Sequence, residues 1–376
     1  MRGLLAKADL DRYAGQFVWL ELSYDEPGNR AFMTKFGANA TPTFFVIDPH
    51  DQHVTAMQPG AMSLEELQQF LDRGASGVST KRQIPAEAAL TRGDALLAEQ
   101  PAEAATSYED AVRTAPADWP KRELAEASLV QALQDSNQWQ PCAETAAAEA
   151  LRMKRDVFFV RTVVSGMWCV ASVDPLPWTE TALRKLQPLA EEALTLPITV
   201  RDHRDSIYRT LMYISVNRND NPTALKWGDR WLAELDAIKP ATDDERAALD
   251  IARVENIQIV GDPERILPEL KGSERVMPDN YIASLRVAQM ENAAKHYDSA
   301  LAACDRGLAR SPGALGKSWL LQIKAQTLQA EGKTAQAREA LEQALLAAKE
   351  IPNPKGRDSN VARIEQMLQP AENSAK

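Results

Sequence analysis

A spacing of small and large residues that returns three times constrains this chain most. Ala104, Tyr108, Ala111 and Pro116 are separated by four, three and five positions. Ala300, Cys304, Gly307 and Pro312 repeat those intervals. Ala337, Leu341 and Ala344 repeat the first two, before Pro352 stops the helix. Intervals of three and four place residues on one helix face. Small residues let a second helix approach closely, and the large one fills the hole left by its neighbour. Such a unit cannot bury its apolar face alone, so a chain that repeats it stacks helix pairs.

From about residue 86 to 370, strand signals almost vanish and alanine and leucine dominate. Gly93 and Leu96 fit the first helix of one pair, Ala288 that of another, and Trp319, Ala325 and Leu328 that of a third. Gly332-Lys333 is the turn inside the last pair. In the middle only Ala224, Gly228 and Trp231 echo the pattern, and prolines and loops mark pairs at roughly 121–155, 157–195, 202–238 and 243–270. These spacings resemble the second helix of the tetratricopeptide (TPR) repeat. About 285 residues at ~34 per repeat allow up to about eight units; seven pairs and a polar capping helix near 359–368 are expected, with 371–376 a tail. The resemblance implies an all-α solenoid with a surface that binds protein or peptide partners. Trp227 and Trp231 lie four apart on one helical face, and with Trp178 they are candidates to line that surface, although core packing is the commoner use of such residues.

Residues 1–78 read differently. Residues 17–24 are aromatic and β-branched, as in a strand; 30–36 form a short helix; 43–47 are nearly all apolar, as in a strand buried on both faces. Residues 53–57 alternate into a second, more exposed strand. Ser63 with Glu66 three positions later is a capping box opening a helix. The order strand, helix, strand, strand, helix, with the stretch from Gly37 through Thr41-Pro42-Thr43 to Asp48, resembles the thioredoxin fold from its second strand onward. Leu4 to Gly15 would be the tail of that family's first long helix. The resemblance implies that Thr41 and Pro42 form the cis-proline loop that holds a substrate peptide. The family's first strand and its Cys-x-x-Cys have no counterpart, so no catalytic residue is assigned. The fold class is thus α/β plus all-α, a partial thioredoxin-like domain joined by a linker at 79–85 to a TPR-type solenoid.

The pairing resembles a recurrent bacterial arrangement and gives two functions. The first is an interaction scaffold in which the thioredoxin-like part is redox-inactive. The alternative is a thiol-disulfide oxidoreductase or redox chaperone whose Cys-x-x-Cys lies upstream of Met1. The cysteines Cys142, Cys169 and Cys304 have no local metal or redox spacing. They read as small core residues, with a disulfide between distant cysteines left open. Asp48, His50, Asp51 and His53 are ligand types, but a solvated hairpin turn explains them, so no metal and no cofactor is expected. His203 and His296 read as isolated. With 43 basic and 53 acidic residues, a net charge of −10 and no basic cluster, the chain lacks the electrostatic footprint of a nucleic-acid binder. No apolar run is long enough to span a membrane, and the first residues lack the apolar core of a signal peptide. As it stands the chain reads as cytoplasmic; a longer N-terminus with a signal peptide would make it periplasmic.

Overall fold

The computed structural model describes residues 8–23, 26–36, 42–50, 52–77 and 84–369. They form two compact units. One comprises Met1–Glu21 and Phe32–Trp227, the other Leu22–Ala31 and Gly228–Lys376.

The short helix α1 (Arg30–Lys35), whose residues from Phe32 belong to the first unit, is followed there by β1 (Thr43–Ile47), β2 (Val54–Pro59) and α2 (Leu64–Gly77). The strands pair antiparallel, Thr43 opposite Pro59 and Ile47 opposite Val54, with an irregularity between Val46 and Ile47. Phe32 of α1 and Phe36 just after it pack on Phe45 of β1. The capping box at α2 is reciprocal: Glu66 N donates to Ser63 Oγ at 3.2 Å and Ser63 N donates to Glu66 Oε2 at 2.7 Å. Burial reverses the expectation for the strands. Thr55, Ala56, Met57 and Gln58 of β2 are buried, whereas β1 buries only Val46. The reason is that α2 and the next helix, α3 (Pro85–Leu96), both pack on β2.

Two parts of the thioredoxin-like expectation fail here. Residues 17–23 form no strand, and Val18 and Leu20 are 88% and 76% exposed. An apolar segment with no neighbouring strand to pair with gains no ladder. The tail of a long helix is replaced by a 3₁₀ segment, Ala8–Tyr13, whose Leu10 and Tyr13 join Val46, Leu67 and Phe70 in a small core. Among the described residues the sheet has two strands, so a thioredoxin fold is not formed by them.

The helices then pair: α3 with α4 (Pro101–Thr114), α5 (Arg122–Asp135) with α6 (Trp139–Glu149), and α7 (Val157–Ala171) with α8 (Pro177–Ala193); α9 (Arg201–Asn217) is followed by α10 (Asn221–Ala237), where Trp227 meets Tyr208 of α9. The division between units falls inside α10. Stacking is in register, with α5 on α7, α7 on α9 and α6 on α8. Ala104, Tyr108 and Ala111 are fully buried, and a Cβ at Gly93 would meet the Tyr108 ring at 2.5 Å. That close approach explains the glycine.

In the second unit the pairs are α11 (Asp243–Ile259) with α12 (Leu267–Val276), α13 (Tyr281–Ala293) with α14 (Tyr297–Ala309), and α15 (Ala314–Ala330) with α16 (Thr334–Lys349). A last helix, α17 (Pro354–Leu368), lies on α16 and buries Ile364 in its core. The fourth expected segment, 243–270, runs on to Val276, and the closing helix starts at Pro354, earlier than the expected residue 359. The linker expected at 79–85 lies mostly outside the described residues, which resume at Ile84.

Four turns between consecutive helices share one backbone solution. Asn137, Asn219, Lys295 and Gly332 each sit two positions past a first helix at φ of 59°, 58°, 63° and 77°. In each, the next residue donates back five positions: Gln138 to Leu133, Asp220 to Ser215, His296 to Glu291 and Lys333 to Leu328. This is a left-handed helix cap that satisfies otherwise orphaned carbonyls. Two of the four middle segments, 121–155 and 202–238, thus share this turn although their side-chain spacing is faint.

The cysteines correct the reading as three core thiols. Cys142 of α6 and Cys169 of α7 are joined in a disulfide, with Cα atoms 6.2 Å apart. Cys304 is free and buried, and burial pushes its thiol up to about 12.

Candidate functional site

A concavity large enough for a peptide lies in the second unit. It is a groove of about 570 Å³ formed by the first helices of successive pairs, α11, α13 and α15, and by α17. Helical spacing builds its floor. Arg286, Gln289, Asn292 and Ala293 share one face of α13, and Trp319, Gln322, Ile323 and Gln326 share one face of α15. Gln258 of α11 and Arg363 of α17 complete the polar lining. Leu285, Met290 and Ile323 are buried beneath it.

Five of these side chains are primary amides and two are guanidiniums, while no carboxylate or lysine belongs to the lining. Gln322 is fixed by donating to the Ser318 carbonyl at 3.2 Å and hydroxyl at 3.1 Å. Arg286 donates through Nη1 to Gln289 Oε1 at 2.8 Å. Burial lowers its affinity for its proton, opposed by Glu255 and Asp250 of α11. Arg286 Nε and Asn292 Oδ1 are buried without a hydrogen-bond partner, one a donor and one an acceptor. Arg363 is exposed and donates through Nη2 to Asn360 Oδ1 at 2.7 Å. The site therefore offers donors and acceptors to a polar chain, with an aromatic face in Trp319, which is half-buried.

The residues singled out from the sequence lie elsewhere. Trp231 is 1% exposed and belongs to a core. Trp227 is half-buried and tilts against Tyr208 with ring centroids 6.4 Å apart. Trp178 is half-buried in the first turn of α8. None of the three lines the groove. Thr41 lies outside the described residues; the Pro42 carbonyl accepts from Gly60 N at 2.8 Å, which extends the hairpin. Asp48 Oδ1 accepts from His50 N at 2.8 Å and Asp48 N donates to the His53 carbonyl at 2.9 Å, so these residues shape a turn. His296 is not isolated: Nδ1 lies 2.8 Å from Glu291 Oε2 and Nε2 lies 3.0 Å from Glu264 Oε1. Folding brings Glu264 across 32 positions of sequence. His203 is half-buried, and desolvation together with Arg161 pushes it down to about 4.

A second polar cluster, in the first unit, is closed. Arg73 Nε of α2 lies 2.9 Å from Asp94 Oδ2 of α3, off the line of a hydrogen bond. Tyr108 of α4 donates to Asp94 Oδ1 at 2.8 Å. Arg161 of α7 lies 4.0 Å from Glu66 Oε1. Burial raises Asp94 and Glu66 and lowers Arg161. The space beside Arg73, Glu66 and Arg161 is about 10 Å³, room for no more than a water. This cluster ties α2 to the helix pairs and binds nothing larger.

Sequence reasoning missed the groove because its residues carry no motif. Its only trace is amides and an aromatic at helical spacing, in Gln322, Gln326 and Trp319. No helix among the described residues is long and apolar enough to cross a membrane, and no cluster of potential metal ligands occurs among them. No protein-family model and no curated protein matches the chain. Among solved structures, the chain is similar to the TPR2AB domain of yeast Sti1 in its pHSP90 complex. The match has 16% identity and a TM-score of 0.29, covering 75% of this chain and 96% of that one.

Proposed function

We propose that this chain is a protein-interaction scaffold whose groove between α11, α13, α15 and α17 holds an extended segment of a partner protein. The observation that carries the reading is the lining itself. Amides fixed on rigid helices match the alternating donors and acceptors of a peptide backbone, and Trp319 supplies an apolar face beside them. Paired helices of this kind bring no catalytic group with them. The cysteines support binding over thiol exchange: two are locked in a buried disulfide and the third has a thiol pushed up to about 12. The same bond supports residence in an oxidising compartment, where disulfides persist.

The test is an array of immobilised peptides probed with the whole chain. Trp319→Ala is expected to weaken bound peptides by more than tenfold, as loss of an interface tryptophan does. Trp178→Ala, which is not part of the groove lining, is expected to leave them unchanged. Peptides that bind Trp319→Ala as well as the parent chain would refute the groove as the binding site.

A further inference from the structure

We infer that the hairpin and α2 form a lid, which masks a shared face of α5 and α7 and lifts from it as one body, pivoting on α3. This lid belongs to the first unit and is independent of the groove. The body has a core of its own. Leu10, Tyr13, Val46, Ala56, Leu67 and Leu71 belong to it, and among the described residues it takes no side chain from the helix pairs. Tyr13 Oη lies 2.8 Å from Asp72 Oδ1 and 2.9 Å from the Gln68 carbonyl, which fastens the 3₁₀ segment to α2. The body therefore keeps its packing when it parts from the array.

Toward the array α2 turns a polar face. Glu66, Gln69 and Arg73 recur at intervals of three and four, on one side of the helix. They meet Leu124 of α5 and Phe158 and Arg161 of α7 around the small void. The closed seam is poorly satisfied. Glu66 Oε1, Gln69 Oε1, Arg73 Nε and Asp94 Oδ2 are buried without a hydrogen-bond partner among the described residues. Glu66 and Arg73 are about 10 Å apart along α2, so a single water in the void cannot serve both ends. Each such atom weakens the closed state, and lifting returns them all to water. The pivot follows from the packing. β2 packs closely on α3, and Arg73 lies against Asp94 of the same helix, whereas α2 reaches α5 and α7 mainly through side chains. The edge at Glu66, 4.0 Å from Arg161, is thus the edge that opens. Opening uncovers Arg161, two turns from Trp168 on the same face of α7. Trp168 is already 38% exposed, so the lid sets how far the exposed strip on α7 extends.

The experiment puts a thiol under the lid, Leu124→Cys in the whole chain, and follows its labelling by N-ethylmaleimide under native conditions. The parent chain, labelled in parallel, measures the buried Cys304. Hydrogen exchange of the Phe70 and Leu71 amides, inside α2, reports whether the body itself unfolds. The opening equilibrium read from the thiol is expected to be at least about tenfold larger than that read from those amides. Arg161→Met leaves Glu66 without its counter-charge in the closed state only, and is expected to raise labelling at least about tenfold. Adding Glu66→Gln, which keeps the capping box with Ser63, is expected to bring labelling back to within about twofold of the Leu124→Cys chain. Equal opening for thiol and amides would show that the body unfolds in place, and would overturn the rigid lid. Labelling only at the rate of global unfolding would overturn the lid altogether. Labelling unmoved by Arg161→Met would overturn the edge at Glu66 as the one that opens.

Discussion

The disulfide gives the most quantitative expectation. Cys142 and Cys169 close a loop with a sequence separation of 27 between two helices packed on each other. In the chain-entropy treatment, a loop of that length removes about 12 cal/mol/K from the unfolded chain, or about 3.5 kcal/mol at 25 °C. That is roughly 400-fold in the folding equilibrium of the first unit. For a unit of this size it corresponds to about 7–14 °C in melting temperature. The first assay is a thiol count on protein folded in a glutathione redox buffer. One thiol, that of Cys304, is expected on denaturation without reductant, and three with it. The second assay is thermal unfolding by circular dichroism, with and without reductant. Reduction keeps both sulfur atoms in place, so it isolates the crosslink from the cavities that Cys142→Ala and Cys169→Ala would add. Three thiols before reduction would refute the bond. One thiol with no shift in melting on reduction would refute the entropic reasoning.

Two further expectations follow from the turns and the buried acids. Lys295 holds φ 63° where Gly332 stands in the equivalent turn, so Lys295→Gly is expected to stabilise the second unit by up to about 1 kcal/mol, read as a higher denaturant midpoint; an unchanged or lower midpoint would remove the strain argument. Glu126 is pushed up to about 7 by burial and by Glu149, against Arg122 and Arg152. The folded state then binds more protons than the unfolded state between pH 4.5 and 7, so the stability Glu126 contributes is full below 4.5 and lost as pH rises through 7. Glu126→Gln is expected to gain on the parent chain by about 1–2 kcal/mol between pH 4.5 and 8, after discounting for solvent screening. A difference independent of pH would contradict this.

Particular elements show where sequence reasoning reached and where it stopped. The capping box at Ser63 and Glu66 was legible because both partners lie within one turn. The helix pairs were legible because Ala104, Tyr108 and Ala111 face one way on one helix. The strand expected at 17–24 looked sound by composition, but a strand needs a neighbour, and composition says nothing of neighbours. The left-handed turns at Asn137, Asn219 and Lys295 were hidden because three residue types, asparagine, lysine and the glycine at Gly332, adopt one backbone shape.

By itself the sequence determined the helical repeat, since close packing at intervals of three and four is a local demand on residue size. It also determined the absence of a basic nucleic-acid footprint, since net charge is a sum. The tertiary structure decided which tryptophan faces the groove, because Trp231 and Trp319 both sit on amphipathic helices and only packing separates the fully buried one from the half-buried one that lines the groove. It likewise decided that Cys142 meets Cys169, that His296 meets Glu264, and that Arg363 shares a groove with Asn292. Each of those contacts joins side chains from different helices, and the distance between them is set by how the helices stack.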